Sequence, residues 1–161
     1  MQSLFDYPIR ILLIAITFFA VLGFAFFNIN SSQMQQYSNF VQSQVDTKGG
    51  LTADALIESQ KYAFEGSNKN SKYEILNPKT EEPLKMYVNS DGTVKDGAKK
   101  EAEAELEAAG YGPVRYGSQV RLAIKARYHT SLLTLVQLPE AFSFTRNITV
   151  VTSAFVPGLD K

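Results

Sequence analysis

Residues 11–27 read ILLIAITFFAVLGFAFF, a run of seventeen positions without a charged side chain. As a helix rising 1.5 Å per residue it covers about 25 Å, close to the hydrocarbon core of a bilayer at roughly 30 Å. Inside lipid every backbone amide must be bonded within the segment, which requires a helix. The run predicts a helix that spans a membrane or forms the core of a filament, with the remaining chain folded as a small domain.

Two other interpretations of this run have weaker support. A cleavable signal peptide has a basic start and a small-x-small cleavage site, but MQSLFDYPIR before the run carries one acid and one base, and FFNINSSQMQQY offers no such site. A buried helix of a soluble protein would need cover on every side, because the run has no polar face. The sequence favours the spanning helix, and the other two remain alternatives.

Basic residues near the run predict its orientation. Arg10 precedes it, and no Lys or Arg follows until Lys48. The positive-inside rule places the short amino terminus in the cytoplasm and the large domain outside. The expected location is the cell membrane, as a single-pass protein or in an extracellular filament.

Composition narrows the chemistry. The 161 residues contain no cysteine and one histidine, and sixteen basic residues balance sixteen acidic ones. Disulfides, a thiolate nucleophile and a cysteine-ligated metal are excluded, and a zinc site is disfavoured. No GxSxG, Walker A or GxGxxG motif is present. We therefore predict no catalytic residues, no cofactor and no metal; an envelope enzyme or ligand sensor is the weakest of the functional hypotheses.

A polar stretch after the run continues the helical pattern. Apolar residues recur in steps of three and four at Met34, Tyr37, Val41 and Val45, a spacing that places them on one face. The pattern predicts one helix over about 9–46, ended by two glycines at 49 and 50. We assign residues 1–48 to the apolar helix and its amphipathic continuation, and residues 49–161 to an extracytoplasmic domain.

The first half of the domain mixes helices and short strands. Leu51–Glu65 is predicted as a helix capped by Thr52. Short strands are predicted at 73–76 and 85–88. Asp96 is the expected cap of a charged helix that ends at Gly110, with Leu106 and several alanines as its only packing residues and an exposed charged surface.

The carboxy-terminal third has the clearest strand pattern. Apolar and polar residues alternate with period two in Gln119–His129 and again in Phe142–Phe155, which predicts two strands that are buried on one face. We expect them to pair antiparallel and to pack on the long helix. Arg146 falls on the apolar parity, so the strand bends there or Arg146 has a partner. The predicted class is α+β: a long amino-terminal helix, then a small domain with an antiparallel sheet.

Two further surfaces are candidates for contacts. Basic residues alternate on the polar face of the first strand: Arg121, Lys125, Arg127 and His129. No aromatic residue shares that face, so nucleic acid is not favoured as a partner. Residues 130–140 between the strands are unusually apolar for a connection. They are expected to cover the core or to contact a membrane or partner through Leu132, Leu133, Leu135, Val136 and Leu138.

The order of these parts resembles the Tad minor pilins (TadE-like proteins) and their relatives in mobile elements of Gram-positive bacteria. The matching parts are the apolar run, the polar helix after it, Gly49-Gly50-Leu51-Thr52, Gly117-Ser118-Gln119-Val120, the last strand and a terminal lysine. Phe5-Asp6-Tyr7 is similar to the Glu-Tyr pair of small Tad pilins, with Asp in place of Glu and no preceding glycine.

This resemblance implies a pilin-like structural subunit or accessory of a filament, secretion or conjugation machine. Its partners would be the membrane, copies of itself and the secretion or pilus machinery. Residues expected to pack against lipid or other subunits are Ile11, Leu12, Ile14, Phe18, Phe19, Leu22, Gly23, Phe26 and Phe27. The alternative is a single-pass protein that does not polymerise and presents a binding domain to such an apparatus.

Overall fold

The computed structural model describes residues 3–65, 73–128 and 142–159. The elements are α1 (Ser3–Thr47), α2 (Ala53–Glu65), β1 (Tyr73–Ile75), α3 (Ala98–Ala109), β2 (Gln119–Tyr128) and β3 (Phe142–Val151). The chain divides into two compact units, Met1–Gln35 and Gln36–Lys161. The strands form an antiparallel sheet in the order β1-β2-β3. The predicted α+β class, with a long apolar helix followed by a small domain, is confirmed.

The long helix ends close to where the glycines predict. It covers Ser3–Thr47, longer than the predicted 9–46. The amide of Gly50 donates to the carbonyl of Val45 at 2.8 Å, and Gly49 has a φ of 69°. This left-handed conformation, easily adopted by glycine, satisfies a carbonyl of the last turn.

The core of the second unit is built on one face of its part of α1. Tyr37, Val41 and Val45 are buried there, as the three-four spacing predicts. The Tyr37 ring stacks on Tyr73 with centroids 4.5 Å apart and planes at 12°, which joins α1 to β1. Burial raises the pKa of the Tyr37 hydroxyl, because the phenolate would lose its hydration. The sheet and α1 therefore share one core.

Strand β2 is the centre of the sheet and follows the predicted alternation. Val120, Leu122, Ile124 and Ala126 are buried. It pairs with β3 in a continuous register from Gln119↔Val151 to Tyr128↔Phe142. The predicted antiparallel pair is confirmed, although β3 ends at Val151 rather than Phe155. Thr152 is buried and its hydroxyl donates to the carbonyl of Arg115 at 3.0 Å, a contact outside the ladder.

Arg146 fits neither alternative predicted for it. The ladder passes through the Arg146↔Ile124 pair without interruption, so the strand does not bend there. No carboxylate in the described part of the chain forms an ion pair with Arg146. Its side chain is exposed. The reason is position, because β3 is an edge strand of the described sheet and its residues 143–147 are all exposed.

The strand predicted at 85–88 is wrong, and a glutamine explains the difference. The buried side-chain amide of Gln60 on α2 donates to the carbonyl of Lys85 at 2.7 Å and accepts from the amide of Tyr87 at 2.8 Å. These are the backbone groups that a neighbouring strand would bond. The segment is extended but pairs with a side chain, and only an isolated bridge joins Val88 to Val94.

The two other helices agree with prediction except at one cap. Thr52 Oγ1 accepts from the amide of Ala55 at 3.3 Å before α2, as predicted. Helix α3 ends at Gly110 and buries Leu106 with three alanines, also as predicted. Asp96 is not its cap: Gly97 occupies that position in a left-handed conformation and makes no side-chain cap bond. A glycine is tolerated at this position because it adopts the conformation without strain.

We expect Gly50→Ala to destabilise the protein strongly. A Cβ there would collide with the carbonyl oxygen of Gly112, and the backbone φ of 132° is itself unfavourable for alanine. The free energy of unfolding should fall by about 2 kcal/mol or more, measured by denaturant titration of the full chain in detergent. Gly112→Ala is the matched control, since its φ is 147° but its Cβ position is open. Equal losses in both variants would contradict the steric explanation.

A second prediction concerns acid stability. Asp46 accepts from the hydroxyl and the amide of Ser153, both at 2.6 Å, and these bonds lower the pKa of the Asp46 carboxyl. A lowered folded-state pKa gives stability that is present above the unfolded value, about 4, and is lost as pH falls through the folded value. Asp46→Asn should therefore flatten the stability profile below about pH 5, followed by thermal melts against pH. Asp96→Asn is the control, since no hydrogen bond or ion pair of the Asp96 carboxylate is found in the described part of the chain, and an unchanged slope for Asp46→Asn would refute the assignment.

Candidate membrane and assembly surface

The apolar run lies entirely within α1 and is exposed on all sides. No residue of its most apolar eighteen-residue window is buried. Exposed fractions run from 40% at Leu22 to 69% at Ile14. Of the described helices, α1 is the one long and apolar enough to cross a membrane. A surface of this kind is unstable in water, because each exposed large side chain forfeits about 1.5–3 kcal/mol of transfer free energy.

The residues predicted to pack against lipid or subunits form a broad band on this helix. At 100° per residue they cover an arc of about 220°. The band comprises Ile11, Leu12, Ile14, Phe18, Phe19, Leu22, Gly23, Phe26 and Phe27. The opposite side includes Leu13, Val21 and Phe24, so no side of the run favours water.

Polar side chains in and beside the run bond to the helix itself. Thr17 is the single polar residue within residues 11–27, and its hydroxyl donates to the carbonyl of Leu13 at 2.8 Å. Asn28 and Asn30 donate in the same way to carbonyls one turn earlier, at 3.0 and 2.8 Å. Such i−4 bonds remove the need for water, which is the condition for a helix in hydrocarbon.

Gly23 leaves a gap in the middle of this surface. A Cβ built there would meet no atom within 4 Å. Ala20 and Ala25 lie close by in sequence, and small residues let two helix backbones approach in a membrane. Phe18 and Phe19 contact each other edge to face, with centroids 6.1 Å apart. The helix thus presents bulky rings beside an open position, and this surface suits the packing of a neighbouring helix.

The basic face predicted on β2 is present in the second unit. Arg121 and Arg127 are exposed and Lys125 is half-buried. Arg127 Nε lies 3.0 Å from a carboxylate oxygen of Glu74 on β1. His129 and the apolar residues Leu132, Leu133, Leu135, Val136 and Leu138 lie outside the described residues.

One open groove lies between the start of α2 and α3. Its volume is about 620 Å³, and its lining includes Asp54, Lys99, Glu103 and Tyr111. Lys99 and Asp54 pair with each other at 3.1 Å. Burial raises the pKa of the Tyr111 hydroxyl to about 12, so it stays protonated at neutral pH. Among the described residues no set of three His, Cys, Asp or Glu could hold a metal ion.

Sequence reasoning missed the role of one glutamate on α3. Glu105 was expected on the exposed charged surface, but its carboxylate accepts from the Tyr87 hydroxyl at 2.7 Å and from the amide of Lys85 at 3.2 Å. Desolvation and this hydrogen bond both raise the pKa of Tyr87. The clue in the sequence is positional: Glu105 precedes Leu106, the one large apolar residue of α3, and so borders the buried side.

Comparison of the chain with family models, with characterised proteins and with solved structures finds no match. The class is therefore defined by fold and surface alone. It is an α+β protein with a three-stranded antiparallel sheet and a long apolar amino-terminal helix that could cross a membrane.

Proposed function

We propose that this chain is a pilin-like structural subunit. Its amino-terminal helix anchors it in the membrane before assembly and packs against copies of itself afterwards, and its domain lies outside the cell. The observation that supports the proposal is the exposed surface of residues 11–27. Covering its large side chains is worth on the order of 10 kcal/mol, and lipid or neighbouring copies could each provide that cover.

The arrangement of large and small side chains on this surface is a second argument. A helix that only anchors a domain needs apolar bulk, and any mixture of Leu, Ile and Val supplies it. Here the phenylalanines flank the gap at Gly23, and the Cβ position is open. Close helix contact in a membrane relies on such small residues. The resemblance to Tad minor pilins supports the same conclusion through Phe5-Asp6-Tyr7 and the order of elements.

A second candidate function is favoured by the groove beside α3. A single-pass protein that stays in the membrane could bind a partner from a secretion or conjugation apparatus there. Acidic and basic side chains line the groove, among them Asp54, Lys99 and Glu103. A polar peptide segment would therefore suit it. In this case the apolar helix is a permanent anchor.

Shear fractionation of producing cells distinguishes the two. The sheared, detergent-free fraction is imaged by negative stain with an antibody to the domain. We expect labelled filaments, because subunits that cover each other's helices leave the membrane without detergent. If the protein is recovered only from detergent-solubilised membrane, the filament proposal fails and the anchored binding protein takes its place.

Gly23→Leu tests whether the gap is used between copies. The substitution adds a side chain where nothing lies within 4 Å, and leucine favours a helix more than glycine does. Membrane insertion and domain stability should therefore be unchanged. We expect at least a tenfold lower yield of sheared filaments, measured by quantitative blotting.

The matched control is Val21→Leu, which adds bulk to the other side of the same helix. It should retain most of the filament yield. Equal yields from Gly23→Leu and the unmodified chain would contradict a packing role for Gly23.

A further inference from the structure

The outer face of the sheet is exposed and basic. It consists of Glu74 on β1, the cations Arg121, Lys125 and Arg127 on β2, and the odd-numbered residues of β3 from Ser143 to Thr149. Those β3 residues are all exposed, as are Arg121 and Arg127, so none of the described elements covers this face. Three cations and one carboxylate give it a net charge of +2.

Helix α3 presents a face of opposite charge. Its buried side is Ala98, Ala102, Leu106 and Ala109. The opposite side, here called the outer α3 face, consists of Lys100, Glu101, Glu103, Ala104, Glu107 and Ala108, all exposed. Three carboxylates and one lysine of α3 give this face a net charge of −2, and the Lys79 ammonium donates to the carbonyl of Ala108 at its carboxy-terminal end. The two faces therefore carry charge of opposite sign.

These charges do not neutralise each other within one copy. The ion pairs in the described part of the chain are Glu58–Lys61, Asp54–Lys99 and Glu74–Arg127. None of them joins α3 to β2. Arg121, Lys125, Glu103 and Glu107 thus remain available to another molecule.

Small side chains on the outer α3 face allow a close approach to another surface. Glu103 and Glu107 are four residues apart on the helix, about 6 Å. Ala104 and Ala108 lie beside them and are small enough for the helix to lie close to a sheet.

We propose that the outer α3 face of one copy docks on the outer sheet face of the next. This inference rests on the proposed function, since it describes a second contact within the same assembly. The two faces are different surfaces, so the contact is head-to-tail, and such contacts extend indefinitely when the rotation between copies does not close a ring. Exposed charge pairs contribute mainly to orientation and specificity. The contact therefore sets how neighbouring domains are arranged, while the apolar helix provides most of the association energy.

Zero-length carbodiimide cross-linking tests the contact on the full-length protein in membranes and in sheared material. The reagent joins an amine to a carboxylate only when they touch. We expect Lys125 to be linked to Glu103 or Glu107. Mixing ¹⁴N- and ¹⁵N-labelled copies before assembly distinguishes links between copies from links within one, because only the former give mixed-label peptides in mass spectrometry.

Charge reversal provides the second readout. The double variants Glu103→Lys with Glu107→Lys, and Arg121→Glu with Lys125→Glu, should each lower the yield of mixed-label links at least tenfold. The quadruple variant reverses both faces together and should restore the yield. Glu58→Lys with Glu81→Lys is the control, since it makes the same charge change outside both faces and should have no effect.

The outcomes separate this inference from the proposed function. Filaments of the unmodified chain that give no mixed-label links, or a quadruple variant that fails to restore them, would overturn the domain contact and leave the pilin proposal standing. Mixed-label links in membranes of cells that yield no filaments would support the contact and overturn the filament. Binding of the full-length protein's sheet face to phosphatidylglycerol vesicles, lost in Arg121→Glu with Lys125→Glu and unaccompanied by links, would show that lipid covers this face instead and would refute the contact.

Discussion

The requirement that apolar surface be removed from water governs this protein. In residues 11–27 the helix satisfies its own polar groups, including Thr17, and leaves every large side chain exposed. Such a segment is more stable in lipid or against protein than in water. The second unit meets the same requirement internally, through a stripe on α1 and one face of a sheet. One helix therefore combines an exposed apolar segment with a stripe that is buried in a core, and its composition changes accordingly along its length.

The elements that sequence analysis predicted correctly are those whose periodicity reflects burial. Strand β2 alternates because one face lies in the core, and α3 has a single large apolar residue that marks its buried side. One error occurs where a side chain replaces a backbone partner. Gln60 bonds the backbone of Lys85 and Tyr87 and so prevents the predicted strand, and a long-range contact of this kind leaves no periodic pattern in the sequence. The other error is local, because Gly97 takes the cap position expected of Asp96 by adopting a left-handed conformation.

The candidate surfaces differ in the same way in how far the sequence predicts them. The apolar run and the basic alternation on β2 are visible in the sequence, because each is a property of one segment. The opposite charges of the outer sheet face and the outer α3 face are not visible there, because they depend on which glutamates form contacts within the domain. Glu105 is occupied by Tyr87, whereas Glu103 and Glu107 are exposed. Only the fold separates structural carboxylates from available ones.

Arg146 has a consequence for the exposed edge of the sheet. Strand β3 is the long edge of the sheet, and an unprotected edge invites pairing with the same strand of another molecule. Any added strand would have to accommodate the Arg146 guanidinium on the core-facing side of the joined sheet, where no described carboxylate awaits it. A single charge on the core-facing side of this edge therefore disfavours edge-to-edge pairing of the sheets of two molecules.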